Sequence, residues 1–208
     1  MRIVTCNVAE LESHPLSLEL FGQLENDRFL DLVADIERRG LQNFPELDAH
    51  KRVICGSQRL RALKHLKWET VDCLLRDELQ TEEGIREHLI LDNTQRRQLT
   101  PAQMYKAGRE LERIYAAQAK EVSGKLGQGV GSASGRAAAQ VGTSRASYHR
   151  LKDVMEKGDD DLKDRVERGE LSVSAASQLV RRAESKRRPR KLDPDDTRSA
   201  ALNFARFE

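Results

Sequence analysis

The chain has 208 residues, 34% of them charged and only 4% aromatic, with a formal net charge of +2. That length allows one large domain or two small ones, and the composition argues for a helix-rich chain with modest cores against a large β-sandwich. No apolar run approaches the roughly 20 residues a membrane-spanning helix needs, and the first residues carry no signal-peptide apolar stretch, so a soluble, cytoplasmic protein is expected.

The net charge hides an asymmetry. Residues 1–100 carry 14 Lys/Arg and 18 Asp/Glu, whereas residues 101–208 carry 22 and 16. A basic half joined to a mildly acidic one directs any nucleic-acid contact to the C-terminal half; ordinary surface solvation is the alternative. Cys6, Cys55 and Cys73 are odd in number, widely spaced and form no C-x-x-C pair. Their spacing indicates neither a zinc site nor a disulfide framework.

Residues 3–8 (IVTCNV) read as a short strand, and the polar stretch after them as a loop. DRFLDLVADIERRG reads as a helix, with Phe29, Leu32, Val33 and Ile36 at helical spacing and Gly40 at its C-terminal cap. FPELD and RVIC are short strands about a turn at Ala49–Lys51. Gly56 and Ser57, with Ser57 as the cap, lead into a helix that buries Leu60, Leu63 and Leu66. VDCLL at 71–75 is a further strand, and the order β-α-β-β-α-β makes a small mixed α/β unit.

The remainder reads as helical. TEEGIREHLILDNTQRR holds a helix ending near Asp92–Asn93. In LTPAQMYKAGRELERIYAAQAKEV, Thr100 caps, Pro101 is the first helical residue and Gln103 completes a capping box. Met104, Ala107, Leu111, Ile114 and Tyr115 form its apolar stripe. Residues 123–135 (SGKLGQGVGSASG) read as a flexible glycine- and serine-rich stretch. A small-residue helix then runs to Val141, Gly142 turns, Thr143 caps, and a second helix begins at Ser144 or Arg145, the outline of a helix-turn-helix. Two more helices break at Gly169, and the basic tail from Glu184 reads as disordered.

Two stretches carry chemistry. ICGSQRLRALKHLKW, residues 54–68, places Arg59 and Arg61 in the first turn of a helix. A helix N-terminus already presents unpaired N–H groups and a partial positive charge, so added cations there suit a phosphate. LDNTQRRQLTPAQ has Asp92 and Asn93, as oxygen ligands for Mg²⁺, ahead of Gln95, Arg96 and Arg97, whose arginines can neutralise phosphate oxygens. Together they point to a nucleoside triphosphate site; the alternative is that the arginines pair with nearby acids and Asp92 merely ends a helix. Downstream, residues 136–152 hold no acid, and Arg136, Thr143, Ser144, Arg145, Ser147, Tyr148, Arg150 and Lys152 are candidate DNA contacts. Arg145 suits guanine, and Ser147 and Tyr148 suit phosphate or base. A helical hairpin that only packs is the alternative.

GSQRLRALKHLKW resembles the G-x-R-R-x-R-A segment of ParB-like proteins, and DNTQRRQLTPAQMYKA resembles their E-N-x-Q-R-x-x-L-x-P-x-E-x-A segment. The resemblance spans about residues 3–120. It implies an α+β chain: a ParB/sulfiredoxin-like nucleotide-binding domain at 1–98, a helical helix-turn-helix domain at 99–183, and a tail at 184–208. It further implies CTP and Mg²⁺ as ligands, with Gly56, Ser57, Arg59 and Arg61 on the phosphates, Asn93 on the metal, and Gln95 and Arg96 completing the site. DNA, a second copy of the chain and, in partition members, an ATPase are the implied partners, with a nucleoid- or plasmid-associated location. Ser57 replaces the motif's acid and Gln58 an arginine, and Asp92 is a shortened glutamate. Hydrolysis is therefore expected to be weak or absent. Sulfiredoxin chemistry would need cysteine at Ser57 and the kinase relatives glutamate. The rivals are a plasmid- or phage-type transcriptional regulator whose N-terminal domain no longer binds nucleotide, and a nuclease or phosphotransferase acting through Asp92.

Overall fold

The computed structural model describes residues 1–96, 98–123 and 132–187, apart from the side chains of 96, 121–123 and 187. The chain divides into two compact units, residues 1–152 and 153–208.

The first unit contains a five-stranded mixed sheet. Its strands are β1 (Arg2–Asn7), β2 (Glu12–Ser13), β3 (Glu46–Leu47), β4 (Arg52–Cys55) and β5 (Thr70–Leu75), in spatial order β1-β5-β3-β4-β2. β1 pairs antiparallel with β5, placing Val4 beside Cys73 and Ile3 beside Leu74. β5 alternates exposed and buried residues as a half-covered strand should, with Val71, Cys73 and Leu75 inward. β3 and β4 form the expected hairpin. Its buried Asp48 accepts the backbone N–H groups of His50 and Arg52 and the Arg52 guanidinium, which lets Lys51 adopt a φ of 61°.

The stretch read as a loop after β1 is ordered instead. A single 3-10 turn (Val8–Glu10) leads to β2 and then to α1 (Pro15–Phe21). Pro15 opens this helix, and the ring of His14 caps it by accepting the N–H of Leu16. Leu16, Leu20 and Phe21 drop into the core. α2 (Asn26–Arg39) buries Phe29, Val33 and Ile36 and ends at Gly40, as its periodicity predicts. α3 is Ser57–His65.

α4 (Glu82–Arg96) outlasts its expected end near Asp92–Asn93 by about a turn. It is tied to the sheet by ions. Glu82 meets Arg52 at 3.0 Å, His14 at 2.9 Å and Arg86 at 3.4 Å, and Arg86 reaches Glu110 at 2.9 Å. The Arg52 hydrogen bond, opposed by desolvation and helped by His14, holds the Glu82 carboxyl down to about 2. β4 and α4 run in the same direction: Arg52 stands by Glu82, and Cys55 by His88. Three strand steps of about 3.3 Å and six helical steps of about 1.5 Å cover nearly the same ground.

α5 (Pro101–Ser123) starts at the predicted capping box. Thr100 Oγ1 accepts the N–H of Gln103, and Gln103 Oε1 accepts that of Thr100. Its stripe of Ala107, Leu111, Ile114 and Tyr115 joins Ile54, Ile85, Leu89 and Ile90 in one core, with Met104 partly buried at its rim. Residues 124–131, most of the glycine- and serine-rich stretch, lie outside the described residues. Its end is helical: Ser132 caps α6 (Ala133–Gln140) through the N–H of Gly135.

α6 closes with the N–H of Thr143 on the Ala138 carbonyl and that of Gly142 on Ala139, around Gly142 at φ 77°. Ser144, not Thr143, then caps α7 (Arg145–Lys157): its Oγ accepts the N–H of Ser147. Thr143 is used up in finishing α6. In the second unit Val154, Leu162, Val166, Ala176 and Val180 form a small core among the end of α7, α8 (Asp160–Glu167) and α9 (Val173–Arg187). The residues from Glu184 to Arg187 are thus helical, and the rest of the tail, 188–208, lies outside the described residues.

Candidate nucleotide and nucleic-acid sites

Gly56 is the N-cap of α3, at φ 99° and ψ 25°, so Ser57 is the first helical residue and not the cap. The backbone there favours glycine, and the space beside it is occupied. The φ is left-handed, and a methyl group at this position would lie 3.0 Å from Cζ and Nη2 of Arg59, whose guanidinium covers the turn.

Neither arginine of the first motif stands idle. Arg59 Nη1 donates to the carbonyls of Asn43 and of Phe44, the latter at 3.1 Å. Arg61 Nη1 donates to the Leu24 carbonyl at 3.2 Å, and its Cζ lies 3.7 Å from the centre of the Phe29 ring. Ser57 Oγ lies 2.9 Å from Ser17 Oγ, and Gln58 spans the loop before α2 by donating to Gly22 and accepting from Leu24. A cavity of about 150 Å³ lies at this helix start, lined by Ser17, Gly22, Gln23, Ser57, Gln58 and Arg61.

Asp92, Asn93 and Gln95 sit in the last turns of α4. Because α4 runs alongside β4 in the same direction, these turns come to the end of the layer where β4 gives way to Gly56. Asn93 Nδ2 donates back to the Leu89 carbonyl at 2.8 Å, so Oδ1 is its atom for an oxygen-seeking ion. Gln95 is exposed, and Asp92 is half-buried. Arg96 closes α4, but its side chain is outside the described residues, as is Arg97 altogether.

On the helical side the eight candidate DNA contacts separate. Tyr148 is wholly buried: its OH donates to Glu112 at 3.4 Å, and its ring lies so close to Gly108 that a methyl there would be 2.5 Å from Cε2. Burial pushes its phenol well above the usual range, with Glu112 adding to the shift. Lys152 binds the same Glu112 at 2.9 Å. Arg136 lies over the Tyr115 ring at 3.9 Å and reaches Gln118 at 3.5 Å. These three side chains fix α6 and α7 to α5, which corrects the reading of Tyr148 as a contact. Ser144 and Arg145 are exposed at the start of α7, and Thr143, Ser147 and Arg150 are half-exposed. Sequence reasoning missed the carbonyls that hold Arg59 and Arg61, and backbone oxygens leave no mark in a sequence.

No family model and no curated protein sequence matches this chain. Solved structures do. The C2221 form of a Pnob8-like ParB-N domain aligns with a TM-score of 0.59 at 16% identity, covering 89% of this chain and 81% of that one. A second pNOB8-like ParB N-domain structure gives the same TM-score and identity over 93% of this chain and 81% of its own. This chain has a ParB N-domain fold. A C-terminally truncated chromosome-partitioning ParB from Caulobacter crescentus, complexed with CTP-γ-S, aligns at a TM-score of 0.40 and 18% identity over 86% of this chain and 92% of that one. Within the ParB-like fold, GSQRLRA occupies the β4–α3 turn and DNTQR the end of α4. Among the described residues, no helix is long and apolar enough to cross a membrane.

Proposed function

We propose that the chain is a ParB-like DNA-binding protein of the plasmid- or chromosome-partition type. Its α/β part takes up a nucleoside triphosphate, CTP with Mg²⁺ by family resemblance, and the helices α6 and α7 act as a helix-turn-helix that selects a DNA site. The supporting observation is that both motifs lie toward one end of the same layer: β4 ends, level with His88, in a left-handed glycine turn into an arginine-bearing helix, and Asp92, Asn93 and Gln95 follow His88 in the last turns of α4. Phosphates would bind at Gly56, Ser57 and Arg59, with Arg96 approaching from α4, and Asn93 would hold the ion. Arg59 would have to exchange its two carbonyls for phosphate oxygens, gaining an anionic partner that a planar guanidinium can grip with two parallel N–H groups. Nucleotide would then govern how two copies engage in a homodimer. A partition ATPase would be the further partner.

A second reading, a regulator insensitive to nucleotide, has an observation of its own. Both arginines are held by carbonyls, and the adjacent cavity of about 150 Å³ is below the ~300 Å³ at which ligand pockets begin. Calorimetry of the full chain with CTP, ATP and GTP, with and without Mg²⁺ and DNA, separates the two. Binding of one nucleotide that is lost in Arg59→Ala supports the first. DNA binding with no heat from any nucleotide supports the second.

A further inference from the structure

Cys55 ends β4, and its thiol is buried, with only 1% of the residue exposed. Across the hairpin ladder its partner is Glu46 of β3, also buried. From above comes His88 of α4. One donor atom of each of the three lies within 4.8 Å of the other two. His88 Nε2 is 3.0 Å from Glu46 Oε2, and Arg76 Nε donates to the same oxygen at 2.8 Å. The His88 side chain remains 27% exposed, so one side of the cluster reaches solvent.

A thiol, an imidazole and a carboxylate gathered at one buried point are more polar chemistry than a sheet–helix contact needs. Neither the nucleotide nor the DNA reading uses them. A cysteine so covered is too buried to attack a substrate, whereas an ion needs only the open flank at His88. We propose that Glu46, Cys55 and His88 form a zinc site, with three protein ligands and a fourth position open to water. Thiolate with imidazole selects a borderline-soft ion such as Zn²⁺ over Mg²⁺ or Ca²⁺. Tetrahedral zinc, with bonds of about 2.0–2.3 Å, holds its donors roughly 3.3–3.8 Å apart. Donors up to 4.8 Å apart therefore need to close by about 1–1.5 Å, and His88 and Glu46, now 3.0 Å apart, to open slightly.

Protons balance simply. The thiol proton of Cys55 leaves to solvent, and His88 binds through a bare Nε2 lone pair with its ring proton on Nδ1, so binding releases protons. Thiolate and carboxylate together match the 2+ charge. Arg76 stays beside Glu46 as an orienting neighbour, its own charge shared with Glu78 at 3.3 Å. Cysteine spacing alone gave no hint of this, because two of the three ligands are not cysteines.

The proposal is independent of nucleotide binding, and Co²⁺ tests it directly. Titrating the reduced full chain should give the visible bands of tetrahedral cobalt and a near-ultraviolet thiolate-to-cobalt band, saturating at one equivalent and bleached by Zn²⁺. Cys55→Ser should remove the near-ultraviolet band. His88→Ala, at a partly exposed position where the fold survives, should weaken Co²⁺ binding at least tenfold. Cys6→Ser with Cys73→Ser should leave the spectrum unchanged. A folded wild type without the bands, a band that persists in Cys55→Ser, affinity unchanged in His88→Ala, or a band lost with Cys6 and Cys73 would each overturn the proposal.

Discussion

Arg59 and Arg61 are two residues apart and differ in role. Arg61 lies on the Phe29 ring and holds the Leu24 carbonyl, so it fastens α2 and its preceding loop to α3. Arg61→Ala should cost about 1–2 kcal/mol in urea unfolding, from one cation–π contact and one hydrogen bond. Arg59→Ala, which frees the Asn43 and Phe44 carbonyls, should abolish any nucleotide heat seen in the wild type. Glu46 makes a pH prediction. The His88 hydrogen bond, against the opposing effect of burial and with help from Arg76, brings its carboxyl from 4.5 to about 2. The folded value lies below the unfolded one, so the ionised group stabilises the fold above about 4.5, and that contribution fades as pH falls through about 2. At about 1.4 kcal/mol per pKa unit the contribution is on the order of 3 kcal/mol. In unfolding series of the chelator-treated, metal-free chain across that window, the wild type should lose more stability on acidification than Glu46→Gln, by about that amount.

At the scale of elements, Gly108 gives the sharpest test of how α7 sits on α5. In the middle of a helix, Gly→Ala ordinarily stabilises by about 1 kcal/mol. Here the methyl would press on the Tyr148 ring at 2.5 Å, so Gly108→Ala should instead destabilise, by about 1–3 kcal/mol in thermal unfolding. The start of α7 supplies another test: Ser144→Ala should cost about 1 kcal/mol and Thr143→Ala clearly less, since Ser144 makes the cap. These elements also mark what the sequence made legible. α2, α5 and the β3–β4 hairpin stand where periodicity, a capping box and a turn indicate. α1 was missed because HPLSLELF lies in a polar stretch too short for a periodic signal, although Pro15 with Leu16, Leu20 and Phe21 is its trace. The end of α4 was misjudged because Asn93 and Thr94, which read as a stop, instead bond back to the Leu89 and Leu91 carbonyls within the helix, and it runs on to Arg96. The motif at Gly56 was legible as a pattern. The partners of Arg59 were not, and Glu46 and His88 meet across 42 positions of chain. Tyr148 read as a contact because an aromatic at a helix start looks the same whether it faces DNA or a glycine.

For the molecule as a whole, the charge that residues 136–152 can offer to DNA lies with Arg145 and Arg150, which are exposed and half-exposed, since Arg136 and Lys152 are committed to α5. Arg145→Ala should lower affinity for the specific DNA site by about 1–3 kcal/mol, while Lys152→Ala should act chiefly on stability. Binding isotherms at several salt concentrations separate a base contact, which changes preference, from a phosphate contact, which flattens the salt slope. The matched run of β4 and α4 has a consequence of another kind. A strand and a helix advance by different amounts per residue, so the two keep level only for one pair of lengths. One residue inserted between Glu82 and His88 would turn everything beyond it by about 100° around the helix, moving His88 away from Cys55 and Asn93 to another face while Arg52 still held Glu82. A residue inserted in the connection at 77–80 would shift nothing in this layer. Length variation among natural versions of this chain should therefore fall in that connection and spare the stretch from Glu82 to Asn93.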